Sequence, residues 1–132
     1  MTIIRSQQYA QEAYPLVAEM QKHQLEVKYR TLALNFPSMI LQSGLSQAIG
    51  FLMAKGKEKE EDKDKNQHQI LLDHLATLVL GKQAQDKQLH QTILTADLTH
   101  YQLLTRQTLE AASWLKRYTQ ALLEKQQIKE SS

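Results

Sequence analysis

The sequence predicts an all-α fold, a compact single-domain bundle of about six helices, and two observations carry that expectation. The first is the supply of turn formers: 132 residues contain only 4 Gly and 2 Pro, too few for the tight turns that many short strands require. The second is periodicity. It is cleanest between Gly44 and Gly56 (Gly-Leu-Ser-Gln-Ala-Ile-Gly-Phe-Leu-Met-Ala-Lys-Gly), where Leu45, Ala48, Ile49, Leu52 and Met53 follow the spacing of an amphipathic helix. A chain of this length has room for one domain with one core.

Along the chain, Ala10, Ala13, Tyr14, Val17 and Met20 share the first helical face, and Pro15 interrupts it with either a kink near Glu12 or a fresh start. Leu25, Tyr29, Leu32 and Phe36 mark a second helix, expected to end near Asn35 because a residue before proline is pushed out of the α region. Pro37 suits the first turn of a new short helix, closed by Gly44. The Leu45 helix follows. Gly50 inside it costs about 1 kcal/mol relative to Ala, which implies either close approach of another helix or simple tolerance.

From Lys57 to Lys65 acids and bases interleave in near balance with no apolar residue among them. Such a segment buries too little to offset the entropy of ordering it, so a charged flexible loop is expected at about 57–65, a poor ligand for RNA, with a solvated extension of a flanking helix as the alternative because Glu and Lys are good helix formers. Helix resumes near Asn66. The aliphatics from Ile70 to Leu80 are so dense that most of that helix must be covered, making it the central one, with Gly81 at its end. Asp86 is placed to cap a helix carrying Leu89 and Ile93. Leu98, Tyr101 and Leu104 form a short segment, and Thr105 is expected to cap the last helix. In that helix Thr108, Ala111, Ala112, Leu115, Tyr118, Thr119 and Leu122 share a face bordered by Trp114, while Arg106, Ser113 and Arg117 lie opposite.

Composition removes several chemistries. With 0 Cys, disulfides, thiolate nucleophiles and Cys-based metal sites are excluded. No stretch reaches the roughly 20 apolar residues of a membrane span, and the first residues lack the order of a signal peptide, so a cytoplasmic protein without membrane partners is expected. The 5 His are scattered and form no helical ligand pair. His74, within the apolar helix, reads as a partly buried packing residue; His68, His90 and His100 suit polar faces. No Gly-rich phosphate loop and no Gly-x-Ser-x-Gly occurs, so no cofactor and no catalytic or metal-binding residue is nominated.

What remains is charge. The net charge is only +2, yet Lys22, Lys28, Arg30, Lys55 and Lys57 face Glu26 alone between Lys22 and Lys57, and the last helix adds Arg106, Lys116 and Arg117. Such residues attract phosphates without sequence preference, although each taken singly is more simply a solvated surface charge. Tyr29 and Trp114 could stack on bases, but aromatics at helical spacing are more often core.

Three blocks in order resemble a known family: Lys28-Tyr29-Arg30 through Phe36-Pro37-Ser-Met-Ile40, the Gly44 to Gly56 segment, and Leu109-Glu-Ala-Ala-Ser-Trp114-Leu-Lys116-Arg117-Tyr118. They are similar to the small subunit of the Cmr-type (type III-B) CRISPR effector complex, the fifth Cmr protein family, and together span most of the chain. The resemblance implies a helical, non-catalytic subunit present in several copies, stacked beside the backbone subunits that hold the CRISPR RNA and beside copies of itself. It implies help in holding the CRISPR RNA and target RNA through basic surfaces, with RNA cleavage belonging to the backbone subunit and nucleotide signalling to the large subunit. Lys55, Lys116 and Arg117 fall in the matching blocks and are the first candidates for RNA contact, followed by Arg30 and Arg106, then Lys28 and Lys57. The alternative is a helical protein–protein adaptor without nucleic-acid contact, for which Leu109 and Phe51, both off the main stripes of their helices, would be the docking residues.

Overall fold

The structure, a computed structural model, describes residues 4–57, 65–81 and 86–124, and among these it contains six helices and no strand. They are α1 (Arg5–Ala18), α2 (Glu26–Ser43), α3 (Leu45–Gly56), α4 (Gln67–Leu80), α5 (Asp86–Thr95) and α6 (Leu98–Leu122). The charged segment expected to be flexible falls largely at 58–64, outside the described residues.

The aliphatic density of α4 places it as expected: it packs against each of the other five helices, and Leu71, Leu72, His74, Leu75, Ala76 and Leu78 are buried. Asn66 starts it, its side-chain oxygen accepting the Gln69 N–H at 3.0 Å. Gly81 ends it at φ +112°, its N–H donating to the Thr77 carbonyl. The α3 stripe is likewise buried at Leu45, Ala48, Ile49 and Leu52, with Met53 half-buried against the same core. Gly50 is there by tolerance, since a Cβ at that position would meet no atom within 4 Å. The close approach is at Gly56, where a Cβ would stand 3.0 Å from Gln69 Oε1.

Two expected interruptions are absent, as is a fresh helix start at Pro15, and tertiary packing explains each. No new helix starts at Pro15: buried Tyr9, Ala13 and Val17 run along one face of α1 on both sides of it. The carbonyl that loses its donor belongs to Gln11, which is exposed, so water can take the place of the missing N–H. Nor does α2 break at Asn35. Tyr29, Ala33, Phe36, Pro37 and Ile40 form one buried stripe across the proline, and burying Phe36 and Ile40 at about 1.5–3 kcal/mol each outweighs the roughly 3 kcal/mol that an internal proline costs. Gly44, at φ +90°, ends that longer helix as its C-cap. Thr105 caps nothing. Its hydroxyl donates back to the Tyr101 carbonyl at 2.9 Å inside a continuous α6, and the cap is Asp97, whose Oδ1 accepts the His100 N–H at 2.9 Å. For α5, the side chain of Asp86 lies outside the described residues, and the expected cap with it.

Helices α2 and α6 run antiparallel. At one end the Ser46 N–H, an orphan donor in the first turn of α3, donates to the Tyr101 hydroxyl at 3.1 Å. At the other, Glu26 Oε2 accepts the Glu124 N–H at 3.0 Å while its Oε1 accepts the N–H of Lys22, which turns the chain at φ +64°. Helix α1 lies along the second half of α6: the Trp114 indole N–H donates to Ser6 Oγ at 3.2 Å, and the Gln21 side-chain amide donates to the Leu122 carbonyl at 3.1 Å.

Candidate nucleic-acid interface

The seven candidate cations do not form one patch. Arg106 and Arg117 stand eleven residues apart, three helical turns, on the exposed side of α6, with exposed Ser113 and half-buried Glu110 on the same side. Lys116 neighbours Arg117 in sequence, but successive helical residues diverge by about 100°, which turns half-buried Lys116 toward the Leu109 flank of the helix.

A second group gathers around the first turn of α4. Lys28 lines an open groove of about 570 Å³ with Val27, Leu32, Met39, Gln67 and His68 among its walls. Asn66 joins this region to the end of α3, its side-chain amide donating to the Lys55 carbonyl at 2.8 Å. The exposed side chains of Lys55 and Lys57 sit at the C-terminus of α3, where cations complement the helix dipole. Lys65 is committed to Asp73, 2.6 Å away. Arg30, two residues from Lys28 on α2, does not line that groove: it is half-buried, and its Nε is buried without a hydrogen-bond partner among the described residues.

Beside the Arg106 and Arg117 side of α6 lies an aromatic cluster. The Arg117 guanidinium sits 5.9 Å over the Trp114 ring, in cation–π range. Trp114 tilts by 33° against Tyr118 at 5.5 Å between centroids, and Tyr118 meets Tyr14 of α1 at 5.3 Å and 85°. Tyr14 is 49% exposed, although its spacing from Ala10 and Val17 had placed it on the buried face. Spacing could have flagged it only as a residue at the edge of the stripe, since the placement of α6 decides which edge is covered. Close by, the Tyr9 hydroxyl has its pKa raised, chiefly by burial; the Arg5 charge opposes the rise and Glu110 and Glu12 add to it.

The other aromatic candidate is not available to a ligand. Tyr29 is fully buried, its hydroxyl 2.8 Å from His74 Nδ1. Burial, reinforced by the Lys65 charge, pushes the pKa of His74 down to about 4, so it is neutral near neutral pH, a packing residue as its sequence context implied. Leu109 and Phe51, the docking residues of the adaptor reading, are half-buried against the core. The large exposed apolar residues lie elsewhere, with Leu41, Leu94 and Leu98 at 71%, 63% and 72% exposure. Among the described residues no three His, Asp or Glu side chains are placed to hold a metal ion, and no helix is long and apolar enough to cross a membrane.

Comparison with known proteins gives this arrangement its context. The sequence model of the CRISPR-associated protein family Cas_Cmr5 matches residues 5–122. A Thermus thermophilus protein named CRISPR system Cmr subunit Cmr5 is 41% identical over 120 residues, covering 91% of this chain and 96% of that protein. The crystal structure of a CRISPR-associated Cmr5 family protein from Thermus thermophilus superposes with a TM-score of 0.80 at 37% identity, covering 93% of this chain and all of that one. A match of this extent, in sequence and in the six-helix architecture alike, places the chain in the Cmr5 family of CRISPR-associated proteins.

Proposed function

We propose that the chain is a non-catalytic small subunit of a type III-B CRISPR ribonucleoprotein, stacking beside backbone subunits and neighbouring copies of itself and helping to hold guide and target RNA through its basic surfaces. Membership of the Cmr5 family carries the first half of this reading. The RNA half is supported by the exposed Arg106 and Arg117 side of α6 and by Lys28, Lys55 and Lys57 around the first turn of α4. Such cations attract phosphates without sequence preference, as suits a role in retaining RNA.

Replacing Lys55, Lys116 and Arg117 together by Ala is expected to weaken target-RNA retention by the assembled complex while leaving the subunit folded, because each is exposed or half-buried. Unchanged RNA affinity in a normally assembled complex would sink the RNA half. A second reading, a protein-docking adaptor, draws on exposed Leu94 and Leu98 at the junction of α5 and α6. Salt separates the two. Binding through phosphates of a single strand weakens by about 0.7 log unit per contact for each tenfold rise in salt, whereas apolar docking does not.

A further inference from the structure

We propose that the aromatic cluster between α1 and α6 is a stacking platform for an unpaired RNA base, with Tyr14 the ring that receives it. This rests on the RNA reading above and adds to it a non-electrostatic contact at a defined place.

The cluster is built in layers. The Trp114 indole is fixed by its hydrogen bond to Ser6 and carries the Arg117 guanidinium on its ring. Tyr118 leans on Trp114, and Tyr14 completes the row at the surface, 49% exposed. An aromatic ring held in place by neighbours yet half open to water offers a π-face that any base can cover, with little side-chain entropy left to lose. Arginine planes and tyrosine rings are the groups on which unpaired bases stack.

Charge complementarity selects the occupant. Arg117 is part of the cluster, and Arg106 lies about 16 Å from it along the same side of α6, given the 1.5 Å rise per residue, so the phosphates flanking a stacked base would meet cations. Glu110 and Glu12 stand nearby and dilute that field. The surface is therefore poor as a purely electrostatic site, and the base contact is what it adds.

The test uses the full chain with a labelled single-stranded oligouridine and an abasic strand of equal length, read by anisotropy and by the emission of Trp114, the only tryptophan in the sequence. Oligouridine is expected to quench Trp114. Tyr14→Ala is expected to bind oligouridine about tenfold more weakly, the scale of one lost base stack, and Tyr14→Phe to retain binding. On the abasic strand Tyr14→Ala and the unaltered chain should be equal, and the salt slope should fall for Arg117→Ala but not for Tyr14→Ala. Matching melting curves for the variants will show that the fold is kept. If Tyr14→Ala binds oligouridine normally while cation removal weakens it, the platform is overturned and the basic-surface reading stands. If Tyr14→Ala spares RNA binding but loosens association with another subunit or copy, the cluster is a protein-docking site and the proposal is wrong. If neither strand binds the full chain, the platform falls, and retention by the assembled complex then judges the broader reading separately.

Discussion

The Tyr29 hydroxyl and His74 Nδ1 lie 2.8 Å apart across the α2–α4 contact, a buried polar pair with an edge-on ring contact of 5.3 Å. Neutral His74 can accept from the tyrosine hydroxyl at Nδ1; a protonated imidazole cannot. Because burial lowers the pKa of His74 in the folded state to about 4, below the ordinary 6.5, the unfolded chain binds a proton first as pH falls. Stability from this group is complete above about pH 6.5 and is lost progressively toward pH 4, by up to about 3 kcal/mol. Urea melts between pH 6.5 and 5, above the main carboxylate range, should show stability falling. The double variant Tyr29→Phe, His74→Phe should flatten that slope, and an undiminished slope would show that another group carries it.

Two threonines on the buried face of α6 invite improvement. Thr108 and Thr119 are fully buried, and the hydroxyl of each has no hydrogen-bond partner among the described residues. Thr108→Val and Thr119→Val keep the shape while removing the unmet hydroxyl, and each is expected to raise stability by about 1 kcal/mol. Thermal unfolding should shift upward by about 3–6 °C per substitution. Thr105→Val, which gives up a hydrogen bond to the Tyr101 carbonyl, should show no such gain.

The glycines of α3 should respond in different ways. Gly50→Ala places a methyl group in open space and gains about 1 kcal/mol of helix propensity. Gly56→Ala sets its methyl group 3.0 Å from Gln69 Oε1 and 3.5 Å from the Gln69 Cα, so the propensity gain is offset by displacement of that side chain. Denaturation midpoints should rise clearly for the first and stay flat or fall for the second.

The start of α6 gives a fourth comparison. Asp97→Ala removes the acceptor for the His100 N–H and should cost about 1 kcal/mol. Had α6 begun at Thr105 instead, Asp97→Ala would be nearly silent, and equilibrium unfolding decides between the two.

Much of this architecture could be read from spacing alone, because α3 and α4 carry their burial in their own periodicity and Asn66, Gly44 and Gly81 punctuate them locally. Pro37 and Thr105 misled for one reason. Each is a local stop signal in a segment whose buried stripe continues on both sides, and the contact between α2 and α6, remote in sequence, outweighs local preference. The exposed positions of Arg106 and Arg117 followed from helical phase. The divergence of Lys116 from Arg117 followed from the same phase, but the gathering of Lys28 and Lys55 around the first turn of α4 and the exposure of Tyr14 did not, because each depends on which helix covers which flank.

Helix α6 has a consequence for biosynthesis. It is the last of the described helices to be made, yet it packs against α1, α2 and α4, and it caps the first turn of α3 through Tyr101. Until it emerges, the faces of α1, α2 and α4 that pack against α6 lack that cover, and the contacts that close the bundle join residues about a hundred positions apart, such as Ser6 with Trp114 and Glu26 with Glu124. Those contacts cannot form before α6 has been made, so closure of the bundle depends on the last of its described helices.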